Sequence, residues 1–180
     1  AVSLARNEKE SFQVLVAPFE RDLKRVEVRV GNLRSTAGAM FAVTNIQAAP
    51  VGYVETKSTP PYGSACVGWW PDPILDFLTT ADIAKGDVQS FWVRVRAPKG
   101  QAVGTYQGKL DLLVDGGLAF SFDLAVRVYP FQLPDASPLP LAVTFAPGDH
   151  PQPETQAQQA AWRKSADYPI NAWKKHKLRW

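Results

Sequence analysis

The side chains of this sequence that could do chemistry are a few carboxylates, two imidazoles and a pair of indoles. Glu8 with Glu10, and Glu20 with Asp22, stand two positions apart. On a strand that spacing points both carboxyls the same way, the least that a paired acid and base would require. Both pairs fall on or beside strand-like segments, where a water-facing carboxylate is the simpler reading. Trp69 and Trp70 run straight into Pro71-Asp72-Pro73. The indoles could stack on a sugar face while Asp72 accepts hydrogen bonds from hydroxyls; equally, they could be buried at a domain seam or against the core. Asp149 and His150 lie in a Pro-Gly-Asp-His-Pro stretch, where they could line a substrate pocket or cap the following helix. His176 suits a helix end or solvent.

These candidates define no catalytic constellation, and no catalytic residue is assigned from them. With two histidines and the single Cys66 far apart in the chain, no metal-ligand spacing exists, and no metal or cofactor is expected. A glycine-rich phosphate loop, a Ser-His-Asp arrangement and a nucleophile elbow are all missing. One cysteine precludes an internal disulfide and says nothing about compartment.

The net charge of +3 is unevenly spread: residues 1–153 carry 14 Lys/Arg against 15 Asp/Glu, and residues 154–180 carry 6 against 2. Basicity is thus a property of the tail, where Lys174, Lys175, Lys177 and Arg179 read as a solvated helix face, and no nucleic-acid partner is expected. No apolar run approaches the roughly 18 residues of a membrane helix, so no membrane insertion is expected.

The elements that would position these residues are mostly strands. With 46% hydrophobic residues, 21% charged residues, 15 prolines and 12 glycines, a turn-rich globular β protein is indicated. Residues 10–17 and 23–30 read as strands, the second alternating Val26, Val28 and Val30 with Glu27 and Arg29, as in a half-buried antiparallel sheet. Residues 41–57 suggest two short strands around Pro50, and Ser58 to Ala84 a long proline-rich loop carrying the tryptophans. From Val88 the pattern is regular: Phe91, Val93 and Val95 alternate with Trp92, Arg94 and Arg96. Tyr106, Gly108, Leu110, Leu112 and Val114 share a face, Asp115-Gly116-Gly117 predicts a tight hairpin, and Phe120, Phe122, Leu124, Val126 and Val128 share the next face. About eight strands at this spacing predict a β-sandwich over residues 1–134.

Pro130, Pro134, Pro138 and Pro140 break this pattern and predict a stiff linker at 135–140. Beyond it, LAVTFA at 141–146 reads as a strand buried on both faces. A helix is predicted from about Glu154, with Trp162, Ala166, Ile170 and Trp173 in one register and a kink or break at Pro169. A strand, a loop and a helix are the opening unit of an α/β domain that residues 141–180 cannot complete.

Four segments in order, ARNEKESFQVLV (5–16), GWWPDPIL (68–75), FWVRVRAPKGQAVGTYQGKLDL (91–112) and VRVYPFQLP (126–134), resemble the N-terminal β-sandwich of bacterial glycoside-hydrolase-like proteins that include the family-123 β-N-acetylgalactosaminidases. The resemblance implies that residues 141–180 begin a truncated TIM-type (β/α) barrel, the sandwich's downstream partner. Asp149 and His150 would then lie in a βα loop at the barrel's catalytic face. It also implies an N-acetylhexosamine-type glycan substrate, a secreted or periplasmic location, and substrate-assisted hydrolysis by an adjacent Asp-Glu pair. That pair has no counterpart in this sequence, so the 180-residue chain is expected to be inactive alone. The other reading is a stand-alone sandwich that binds carbohydrate or protein.

Overall fold

The computed structural model describes residues 1–56, 67–136 and 157, and the chain divides into two compact units, Ala1–Ala136 and Ser137–Trp180. Among the described residues of the first unit there are eleven strands: β1 (Val2–Arg6), β2 (Lys9–Val16), β3 (Leu23–Val30), β4 (Leu33–Ser35), β5 (Met40–Phe41), β6 (Ile46–Thr56), β7 (Gly68–Ile74), β8 (Thr80–Ile83), β9 (Gln89–Arg96), β10 (Gly104–Val114) and β11 (Gly117–Gln132). They form two sheets. The first runs β1-β11-β10-β3-β8, with β4 also pairing β10 and β5 pairing β4; the second runs β2-β9-β6-β7.

The alternation read from the sequence sets the inner faces. From the first sheet Leu4, Val26, Val28, Val30, Tyr106, Leu110, Leu124, Val126 and Val128 point inward, and from the second Val16, Phe91, Val93 and Val95, all buried in one core. Burying each such side chain stabilises by about 1.5–3 kcal/mol. Phe41 and Tyr106 meet edge to face in that core, with centroids 5.5 Å apart. Gly108 is where Leu33 crosses β10: a Cβ there would sit 2.5 Å from a Leu33 methyl. The Asp115-Gly116 turn joins β10 to β11 with φ of 51° and 80°, the positive values that a tight hairpin demands.

Three expectations are corrected. The stretch around Pro50 is one strand of 11 residues rather than two short ones. The Pro50 carbonyl accepts the Leu75 N–H at 2.9 Å, so the missing proline N–H faces the β7 side, where β7 has already ended at Ile74 and no ladder bond is lost. The long loop from Ser58 contains β7 and β8, so the tryptophans lie on a strand. Pro71 and Pro73 are tolerated because β7 is an edge strand with a register shift between Val51↔Ile74 and Tyr53↔Pro71. The sheets are not wholly antiparallel, since β1 pairs parallel to β11, Val2 with Val126 and Leu4 with Val128.

Most of the linker expected at 135–140 and the strand-helix unit expected at 141–180 lie outside the described residues. Asp135 is described, and the turn between β1 and β2 holds it. Asn7, with φ of 64°, donates from Nδ2 to the carbonyls of Leu133 (3.0 Å) and Pro134 (3.3 Å) and to Asp135 (3.2 Å), while Lys99 pairs with Asp135 at 2.6 Å. The end of the sandwich strand is thereby tied to its beginning.

Candidate functional site

Strands β6 and β7 make a two-stranded ribbon beyond the point where β9 stops pairing with β6 at Pro50. Trp69 pairs across it with Glu55, and Trp70 with Val54. Neighbouring residues of a strand point to opposite faces, so the indoles do not form one platform: Trp70 shares a face with Val54, and Trp69 shares the other with Glu55. Trp69 is 68% exposed, Trp70 40% and Val54 44%; Asp72 is exposed as well. The Thr56 hydroxyl and the Gly68 backbone are hydrogen-bonded to each other (3.0 and 3.1 Å), and the Tyr53 hydroxyl donates to the Val88 carbonyl at 2.7 Å. The ribbon thus presents its indoles from a braced backbone, which lowers the ordering cost of docking.

A second arrangement, which sequence reasoning missed, braces the ribbon's near end. On the outer face of the second sheet, the Arg94 guanidinium grips the carboxylate of Asp76 in the loop after β7, with Nη1 at 3.2 Å from one oxygen and Nη2 on the other. Such a fork fixes geometry as well as charge. Towards the start of β9, Ser90 donates to Gln13 at 2.9 Å and Gln89 donates to the Val51 carbonyl at 2.8 Å. The sequence signal was slight: Arg94 stood on the polar side of β9, and nothing local linked it to an acid 18 residues earlier.

The acidic pairs do not form an acid–base couple. Glu8 lies in the turn before β2, where its carboxylate accepts the Ala5 N–H, whereas Glu10 is exposed on β2. Asp22 accepts the Lys85 N–H at 2.9 Å. Asp82 accepts the Arg25 N–H and pairs with Lys24 at 3.0 Å, and these bonds hold its carboxyl below the usual range while Asp82 raises Lys24. Lys99, with a smaller contribution from Asn7, likewise depresses Asp135. A general acid for glycoside cleavage needs the opposite shift. Among the described residues no group of three or more His, Cys, Asp or Glu could hold a metal ion, and no helix is long and apolar enough to cross a membrane. Asp149 and His150, like Cys66 and His176, lie outside the described residues.

The sequence profile of the glycoside hydrolase 123 N-terminal domain matches residues 5–114. The chain belongs to that family. No curated protein matches it. Among solved structures, a family 123 glycoside hydrolase from Clostridium perfringens, analysed for glycolipid glycan hydrolysis, aligns with a TM-score of 0.60 and 14% identity over 75% of this chain and 24% of that one. The two share a fold, and the present chain spans about a quarter of that hydrolase's length. AvmM, which catalyses macrocyclization in alchivemycin A biosynthesis, aligns with a TM-score of only 0.36 and 9% identity over 77% of this chain and 88% of that one, too little to bear on the argument. The family 123 N-terminal match takes in β2 through β10, and thus Trp69, Trp70, Asp72 and the Arg94–Asp76 fork.

Proposed function

We propose that this chain is the non-catalytic supporting portion of a glycoside hydrolase acting on N-acetylhexosamine-type glycans. The observation that carries the reading is the family 123 N-terminal match over residues 5–114. Its support is chemical: Glu8, Asp22, Asp76, Asp82 and Asp135 are engaged in backbone hydrogen bonds or ion pairs, and in this reading the acid and the group that orients the substrate's acetamide come from a downstream barrel. In this reading residues 135–140 are the linker, residues 141–180 begin the barrel, Asp149 and His150 border its catalytic face, and the protein works in the periplasm or outside the cell.

The test is an assay of the 180-residue chain, and of the longer protein that continues beyond Trp180, on nitrophenyl N-acetylhexosaminides. Turnover by the longer protein alone is the expected result. Turnover by the 180-residue chain would overturn the reading.

The exposed indoles favour a second reading, in which the ribbon binds carbohydrate directly. Exposed aromatic surface is commonly a recognition surface, and on the Trp70 face the indole lies beside Val54 with Asp72 on the same side of the strand. Binding to an immobilised glycan panel that Trp70→Ala abolishes without altering the thermal midpoint would establish recognition; unchanged binding, or none by either protein, would leave the ribbon as a docking element for the barrel.

A further inference from the structure

The outer faces of the two sheets are built differently. On the first, Lys109 pairs with Asp123 at 2.7 Å, Arg29 pairs with Glu27 at 2.8 Å, and the Ser121 hydroxyl donates to Asp111 at 2.6 Å. Exposed charges paired in this way are what water-facing strands carry. On the second, the outward positions of the interior strand β9 are Ser90, Trp92, Arg94 and Arg96, and Trp92 stands between Gln13 of β2 and Ala49 of β6. A half-buried indole thus occupies the middle of this face, with an amide on one side and a methyl on the other.

The polar groups around it are held in place. The buried Ser90 hydroxyl donates to the Gln13 side-chain carbonyl at 2.9 Å, which leaves the Gln13 NH2 to donate beside the indole. The Arg94–Asp76 fork lies at the next outward position of β9, and the half-exposed Asp76 carboxylate keeps acceptor capacity beyond its two bonds from Arg94. Fixed planar donors and acceptors beside an aromatic ring suit a pyranose: its hydroxyls and acetamide take the hydrogen bonds while its C–H face lies on the indole. The aromatic line continues beyond Trp92. Along β6, Ala49, Val51, Tyr53 and Glu55 share one direction; Tyr53 is tethered through its hydroxyl to the Val88 carbonyl at 2.7 Å, and Trp69 stands opposite Glu55. From the Ala49 position to that of Glu55 the strand advances about 20 Å, at roughly 3.3 Å per residue. That is too long for one sugar ring and suits a short extended chain.

We infer that the outer face of the second sheet binds an oligosaccharide laid along Trp92, Tyr53 and Trp69, with Gln13 and the Arg94–Asp76 fork hydrogen-bonding the ring over Trp92. The site lies on the face opposite Val54 and Trp70. The choice of N-acetylhexosamine units rests on the function proposed above; the face itself rests on the geometry. Its role is to hold a glycan chain and raise the concentration of its ends near a catalytic domain.

Isothermal titration calorimetry of the 180-residue chain with chitobiose, chitohexaose and cellohexaose tests this. Chitohexaose should bind about 10-fold more tightly than chitobiose, because it reaches several contacts at once. Trp69→Ala, at a 68% exposed position, should abolish that gain without changing the thermal midpoint. Trp92→Ala should weaken both chito-oligosaccharides about 10-fold or more, and Trp92→Phe, which keeps a ring and the packing beneath it, should retain most of the binding; should Trp92→Ala fail to fold, Trp69→Ala and Trp92→Phe decide. The inference is overturned by no binding to either hexasaccharide, by equal affinity for two units and six, by a length gain that survives Trp69→Ala, or by full binding in folded Trp92→Ala. Loss on Trp70→Ala alone would overturn it in favour of the opposite face, and loss of binding in the longer protein would make the downstream domain the occupant. A preference for cellohexaose would support the site and replace the sugar. Failure of the longer protein to hydrolyse nitrophenyl N-acetylhexosaminides would overturn the enzymatic reading while binding by the 180-residue chain still supports this site.

Discussion

The two halves of β11 carry the same pattern and meet opposite fates. Phe120, Phe122, Leu124, Val126 and Val128 all point inward, yet exposure falls from 64% at Phe120 to 50%, 6%, 0% and 1% along the strand. The second half has β1 along its edge; among the described residues the first has only β10, on the other side. The lesson is that alternation decides which way a side chain faces, while burial depends on whether another element arrives to cover it.

Core substitutions break that comparison most sharply. Phe91→Ala, at a position with no exposure, should cost about 3–5 kcal/mol in urea unfolding, whereas Phe120→Ala in the 180-residue chain should stay within about 0.5 kcal/mol. An equal loss at both would mean that Phe120 is as covered as Phe91. A smaller effect belongs to the turn that binds the covered half to the strand's exit. Asn7→Ala removes three hydrogen bonds and puts alanine, which tolerates the left-handed region less well than asparagine, at a φ of 64°, and should lower stability by about 1–2 kcal/mol. Asn7→Gly should recover part of that loss, because glycine accepts the backbone angle at little cost.

The smallest effect sharpens the comparison at the opposite edge of the first sheet, where β8 is pinned to β3 by Asp82. The folded state holds Asp82 below the ordinary carboxylate range through the Arg25 N–H and Lys24. Its contribution is therefore present above the unfolded value near pH 4 and is lost as pH falls through the lower folded value. Asp82→Asn should be less stable than the parent at neutral pH, and the gap should close in acid. A gap constant from pH 7 to pH 2, followed by thermal unfolding, would show that Asp82 acts through packing or the neutral bond to Arg25.

Strand existence and facing were legible where apolar residues alternate over long runs, as in β3, β9, β10 and β11, because the side-chain period of an extended chain is fixed by backbone geometry. The hairpin at Asp115-Gly116 was legible for the same local reason. At β6 and β7, prolines suggested a break, yet the structure continues through them because Pro50 faces a position where β7 has ended and Pro71 and Pro73 sit on an edge. Of the candidate site, the tryptophans were visible as residue types. Their division between two faces, and the Arg94–Asp76 fork that braces their base, were not, since both depend on which strand lies alongside.

By itself, then, the sequence determined the period of the long strands, the residues that would be inward on them, and the tight turn. Only the tertiary structure decided that β1 would run parallel to β11, that Phe120 and Phe122 would remain uncovered, and that Asn7 would hold Asp135 across 128 residues of separation. The physical reason is range: dihedral preferences and alternation act between neighbours in the chain, whereas edges, grooves and ion pairs come into being only when distant segments pack together.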